Sequence, residues 1–411
     1  MPRIPPFIEA FSTLYADISA FLARLNLPGN ETAVFATFDN PRFRGFSGAF
    51  TEDEVAMLKA TGGAVLSVRE AVTEEMVMPR RMVRQSGRER REEQTAEGRR
   101  KRAKRAEGVE SRDDATWGLQ RISQEGKVDV VGGSAAGKGY TYTWNETSTL
   151  GAGVDIYIMD SGIYTEHDEF AGGRAVDGFN YFPDQPGDKY GHGSHCAGSA
   201  AGSTVGVATN ANLISVKVYL AGLDWILSQH ANRSAQPDFV ASVVSISLAW
   251  NTVLDNIDMA TKELSAAGIH VAIAAGNTYD DACTHSPASL GGATNTSNTS
   301  VLVVGASTIA DGILWFSSTG PCVDVYAPGG DVLSAAVTGG PGDYVADSGT
   351  SMAAPHVAGL VAVLVAEGGE GGVEAVKARV VGLARGGVLA VNEQFVEGGE
   401  VVLVGNGVGV V

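Results

Sequence analysis

The chain has 411 residues, 44% hydrophobic and 19% charged, with a formal net charge of −17. That is enough to bury a large core and to form one large domain beside a smaller one, which excludes a disordered chain. The acidic balance argues against a nucleic-acid partner, no apolar run approaches the roughly 18 residues of a membrane span, and the three cysteines permit one bridge but not a disulfide scaffold.

The opening MPRIPPFIEAFSTLYADISAFLARL reads as an amphipathic helix interrupted by Asp17 and Arg24, neither a signal peptide nor an anchor. Strand-like ETAVFATF and FRGFSGAF follow, then a helix from Thr51, where Thr51 and Glu54 stand at capping-box spacing, and a strand VLSVREAV. Residues 1–78 are therefore predicted to be a small α+β module. The next stretch, PRRMVRQSGRERREEQTAEGRRKRAKR, is charged and has no hydrophobic periodicity, so 79–113 is predicted to be a solvated linker.

From Trp117 the pattern changes to apolar runs of the fully buried kind, VDIYIMD, LISVKVY, VVSISLA, IHVAIAAG and VLVVGAS, with helical segments such as DNIDMATKELSAAG between them. The alternation predicts an α/β domain over 114–411 with a parallel sheet covered on both faces, where ligands bind beyond the carboxyl ends of the strands. Asp160 ends VDIYIMD, His192 lies in GHGSHCAG, Asn277 follows IHVAIAAG, and Ser351 opens the apolar GTSMAAPHVAGLVAVLVA. Taken singly these read as a turn residue, a packed histidine, a left-handed turn residue and a helix cap. Taken together they supply a nucleophile, a general base, a carboxylate to orient the base and an amide for an oxyanion. His192, His195 and Cys196 could supply three zinc ligands, but no further Cys or His pair completes a site.

The blocks IMDSGI (158–163), GHGSHCAG (191–198), AAGN (274–277), SPAS (286–289), CVDVYAPG (322–329) and GTSMAAPHVAG (349–359), with WGLQRIS (117–123) as a mature start, resemble the subtilases, in their proteinase K and cerevisin branch. The resemblance implies a three-layer subtilisin-like fold and a serine endopeptidase acting on proteins or peptides as a monomer, with no cofactor for its chemistry. Asp160, His192 and Ser351 match the triad, Asn277 the oxyanion amide, and Ser247, Leu248 and Ala249 the substrate strand. Cys196 matches a buried free thiol, Cys283 and Cys322 a disulfide pair, and Asp324 the carboxylate of a structural calcium whose other ligands are largely backbone carbonyls. Residues 1–78 resemble the family's ferredoxin-like propeptide, an intramolecular inhibitor removed by self-processing, here without its opening strand. The resemblance places the protein outside the cell or in the vacuolar lumen. The sequons at Asn145, Asn295 and Asn298 would need a secretory route.

Two departures bear on substrate binding. VKVYLAGLDWIL joins a strand to a helix where relatives insert the edge strand that pairs with substrate, and Ala249 and Trp250 replace two glycines. The first is expected to leave the substrate strand paired on one side only and the second to narrow or fill the cleft; in the extreme they would leave a catalytically impaired pseudoprotease serving as a binding module.

Overall fold

The computed structural model describes the strands at 7–11, 34–40, 43–49 and 67–71 with Leu58, and then residues 108–217, 220–292, 300–368, 371–391 and 401–408. In the N-terminal part β1 (Phe7–Phe11), β2 (Val34–Asn40), β3 (Phe43–Ala49) and β4 (Ser67–Ala71) form one sheet in the order β2-β3-β1-β4. β1 lies inside this sheet, antiparallel to β3 and to β4, so the opening strand expected to be missing is present. Five residues, FIEAF, are too few for periodicity to separate helix from strand. Of the helix expected from Thr51 only Leu58 is among the described residues; it is helical and buried. The greater part of the linker, 79–107, lies outside them.

The large domain begins earlier than residue 114. β5 (Val109–Thr116) pairs antiparallel with β6 (Lys138–Asn145), and Arg112 donates to the carbonyls of Ser203 and Gly206 at 2.9 and 2.8 Å. The charges in VESRDDAT conceal this strand, because it runs on a two-stranded ribbon and its first six residues are not fully buried. Helix α1 (Trp117–Ser123) follows, with the Trp117 indole donating to Gly330 O at 3.1 Å.

The main sheet has nine strands in the order β16-β17-β13-β12-β11-β10-β7-β9-β8. Its members are β7 (Val154–Met159), β8 (Ala175–Asn180), β9 (Asn212–Lys217), β10 (Ala241–Ile246), β11 (His270–Ala274), β12 (Leu302–Ser307), β13 (Val325–Pro328), β16 (Arg385–Gly386) and β17 (Val402–Leu403). All neighbours are parallel except β16 and β17. A separate antiparallel pair, β14 (Val332–Ala335) and β15 (Tyr344–Asp347), lies outside it.

Residues alternate between the two faces of the sheet, which gives two cores. Val154, Ile156 and Ile158 of β7 join one core with α2 (His192–Ala201), α5 (Thr350–Ala366) and α6 (Gly372–Leu383). Tyr157 and Met159 join the other, with α3 (Leu220–Arg233) and α4 (Asp255–Ala266). The chain leaves β7 toward β8 and β9 on one side and toward β10 onward on the other, so β7 and β10 flank the switch point where a parallel sheet opens a crevice. No helix among the described residues is long and apolar enough to cross a membrane.

Cys283 and Cys322 are joined by a disulfide across 39 residues of chain, with Cα atoms 5.2 Å apart. Closing a loop of that length restricts the unfolded chain, so replacing both cysteines by alanine should cost about 3–4 kcal/mol. Denaturant titration of the double variant checks this; an unchanged midpoint would mean that the bridge contributes nothing.

Candidate active site

Two strands of the crevice end in site residues. Asp160 follows β7 and donates its amide to Val216 O at 3.0 Å, and Ser247 follows β10. The His192 ring Nδ1 lies 2.8 and 2.9 Å from the two carboxylate oxygens of Asp160. Such contact needs helix α2 close to the end of β7, and the small residues of GHGSH allow it. A Cβ on Gly193 would stand 2.2 Å from Gly162 O and 3.0 Å from Asp160 Cβ. Gly191, with φ 97°, makes the left-handed turn into the helix.

Asp188 holds this turn. One carboxylate oxygen accepts from the amides of Tyr190 and Gly191 and from Ser161 Oγ, and the other accepts from the amide and hydroxyl of Ser194. Ser194 also accepts from the Tyr164 amide at 2.8 Å, so its hydroxyl is a structural link. The sequence reading missed Asp188; the signal was a carboxylate four residues ahead of His192 in a glycine-containing turn, where helix amides need partners.

Ser351 is the second residue of α5, and both are buried in the small-residue stretch that precedes the apolar run. Pro355 has no amide to donate to the carbonyl four residues back, which is that of Ser351. That carbonyl instead accepts from Ser247 Oγ at 2.9 Å and from Cys196 Sγ at 3.3 Å, while Ser351 Oγ donates to Ser247 O at 3.3 Å. The proline thus lets the start of α5 be clasped by the end of β10 and by α2. Cys196 Sγ is also 4.0 Å from His192 Nδ1, which makes the thiol a wedge between histidine and serine. Burial pushes its pKa up and keeps it a protonated donor.

His192 Nε2 is buried and has no hydrogen-bond partner among the described residues. Burial disfavours the imidazolium, but the Asp160 carboxylate, with Cys196, outweighs it and holds the His192 pKa well above the ordinary value. His195 turns away to Val332 O at 2.9 Å, so the three-residue zinc set is not assembled. The residues that converge are Asp160, His192 and Cys196.

Asn277 lies just past β11, and its side-chain oxygen accepts from the amide and hydroxyl of Thr350 at 2.9 and 3.0 Å. Fixing the oxygen in this way leaves the amide nitrogen as the free end. Ser247, Leu248, Ala249, Asn251, Ala274, Gly276, Asn277, Thr350 and Ser351 line a shallow cleft. Trp250 is not in its lining. Its backbone exchanges two hydrogen bonds with Ser286, at 2.9 and 3.2 Å, and its side chain packs against the core that holds α3 and α4. Of the two residues expected to narrow the cleft, only Ala249 touches it. The expected short connection is seen: β9 ends at Lys217 and α3 begins at Leu220, with 218 and 219 outside the described residues.

Residues 151–398 match the model of the subtilase family, Peptidase S8. Among curated relatives, the chain is 36% identical to subtilisin-like protease 1 of Pseudogymnoascus destructans over 69% of its own length and 66% of the relative's. It is 33% identical to subtilisin-like protease 5 of Arthroderma benhamiae over 88% and 79% of the two lengths. Against the cuticle-degrading serine protease of Arthrobotrys oligospora identity is 39%, over 62% of this chain and 60% of that one. The chain thus spans about two thirds of the length of several relatives. The crystal structure of a cold adapted subtilisin-like serine proteinase superposes with a TM-score of 0.57 at 30% identity, covering 71% of this chain and 98% of that one. With its parallel sheet, its Asp160–His192 pair and the serine helix at the switch point, this chain belongs to the subtilase family.

Proposed function

We propose that the protein is a serine endopeptidase in which Ser351 is the nucleophile, His192 the general base, Asp160 the group that orients and charges the base, and Asn277 the oxyanion donor. What supports this reading is a carboxylate-bound imidazole on a helix that Cys196 joins to the start of the serine helix, with an amide held by its oxygen against that same start. In the structure Ser351 Oγ bonds Ser247 O, and a rotation about χ1 to another staggered well frees it. His192 Nε2 then takes its proton as the oxygen attacks a peptide carbonyl. The tetrahedral oxyanion is received by the Asn277 amide and the Ser351 backbone N–H, and His192 passes the proton to the departing amine. Water resolves the acyl-enzyme by the same sequence of proton transfers. Apart from that water and the substrate, side chains and backbone amides of this chain supply the groups these steps use.

The test is labelling of the folded, processed chain with a fluorophosphonate, with the adduct located by mass spectrometry. An adduct on Ser351 is expected; absence of label on folded protein would favour the binding-module reading. Asn277→Ala should lower kcat about 100 to 1,000-fold with little change in KM, because it removes a donor that matters chiefly in the transition state. Steady-state kinetics on a peptide anilide separate the two parameters, and a loss confined to KM would argue against the oxyanion role.

The N-terminal module fits an inhibitor that is cut away. β2 runs alongside α3, which supports a module seated on the large domain before processing. Because β5 belongs to the large domain, the cut belongs upstream of Gly108. The disulfide suits an oxidising compartment, and a secreted or vacuolar enzyme acting on proteins is the setting we assign.

A further inference from the structure

The carboxylate of Asp324 is where the resemblance places a structural calcium, and its surroundings do not fit that ion. Asp324 stands just before β13, and its side chain is 3% exposed. One of its oxygens accepts from the Gly292 amide at 3.1 Å and the other from the Val303 amide at 2.8 Å. The remaining demand of the first oxygen is met by Lys377 Nζ at 2.7 Å. The same ammonium donates to Val301 O at 2.8 Å.

Calcium requires six to eight oxygens at about 2.3–2.6 Å. A carboxylate and a backbone carbonyl are the kind of oxygens it would use here, and one ammonium already spans both. Two cations cannot share those oxygens, since a second positive charge within a few ångström in a buried site is strongly unfavourable. Lys377 comes from α6, where Val376 and Val380 pack into the core and fix the helix so that the lysine stem points to the carboxylate. Its side chain is 17% exposed, so most of it is covered.

We infer that Lys377 is the resident cation of this cradle: its ammonium takes the place of a metal ion and ties the chain before β12, the turn before β13 and the C-terminal helix α6. It follows that this part of the fold is indifferent to calcium and to chelators, and that removing the lysine turns the cradle into a site for a hard divalent cation. The inference rests on the fold and the family resemblance, not on the proposed catalytic roles.

Thermal unfolding in the Ser351→Ala background, where autolysis cannot interfere, tests it. The chain with Lys377 intact should melt at the same temperature in EGTA and in millimolar calcium. Lys377→Met should melt several degrees lower in EGTA. It should then gain a calcium-dependent rise, roughly 5 °C at calcium about 100-fold above its dissociation constant, that disappears on adding Asp324→Asn. Terbium luminescence gives a second readout, with binding expected in Lys377→Met and lost with Asp324→Asn. A calcium-induced rise in the chain with Lys377 intact that Asp324→Asn abolishes would overturn the inference, and so would a Lys377→Met chain with neither a lower melting point nor a calcium response. A rise that Asp324→Asn leaves in place arises elsewhere and agrees with the lysine holding this cradle. If Lys377→Met fails to fold, comparing the lysine-intact chain with Asp324→Asn still decides between lysine and metal.

Discussion

Ser351→Ala should lower kcat by about 10⁶-fold while leaving the fold intact, because a triad acts as a unit and losing the nucleophile costs about as much as losing all three members. The stability side of this expectation comes from the contacts. Ser351 Oγ makes one long hydrogen bond, 3.3 Å to Ser247 O, whereas the clasp that holds the start of α5 uses the Ser351 carbonyl. Alanine keeps that carbonyl, suits a helix, and fits a site that is already buried. The variant should therefore melt within a few degrees of the parent and keep its N-terminal segment uncut, which intact mass reports directly. Some catalysis over water, about 10³ to 10⁴-fold, would persist through the oxyanion donors. Ser194→Ala is the control: its hydroxyl serves Asp188 and the Tyr164 amide, so it should lower stability rather than remove the fluorophosphonate adduct. Activity within tenfold of the parent in Ser351→Ala, or an adduct on Ser194, would refute the assignment.

What the sequence made legible is what chain order carries. The runs that became β7, β10, β11 and β12 are buried along their whole length, so their apolar character was unbroken, and Asp160, Asn277 and Ser351 stood out as polar residues at their ends or at a helix start. Strands without that character were hidden. β5 carries four charged residues on an exposed ribbon, β15 is only partly buried, and β1 is five residues long. At the site, the residue types were readable but their couplings were not. The Pro355 vacancy that frees the Ser351 carbonyl, the Thr350 grip on Asn277 and the lysine beside Asp324 each join segments brought together only by folding. Trp250 shows the converse. Its position beside the cleft residues suggested obstruction, whereas pairing with Ser286 holds its backbone against another loop and its indole against the core.

Asp160→Asn should cost about 10⁴-fold in kcat and also move the acid limb of the pH profile, and the two effects together identify the carboxylate's role. In the native site burial works against a charged imidazole, and the Asp160 carboxylate reverses this, so His192 titrates well above the ordinary histidine value. Only neutral His192 can accept the Ser351 proton. Activity of the parent should therefore rise as pH increases through that raised pKa and fall below it. With asparagine at 160 the geometry is nearly preserved, but the negative charge is gone and only Cys196 still opposes burial. The His192 pKa should then drop, and the residual activity should hold to lower pH than in the parent. Asparagine also presents either an acceptor or a donor to Nδ1, which permits the wrong tautomer and accounts for the loss in rate. Measuring kcat/KM against pH for both chains, with the variant processed in trans by active enzyme, separates these effects. A large rate loss with the acid limb unmoved would mean that Asp160 only positions the ring. A limb shifted to lower pH would mean that its charge also sets the basicity of His192.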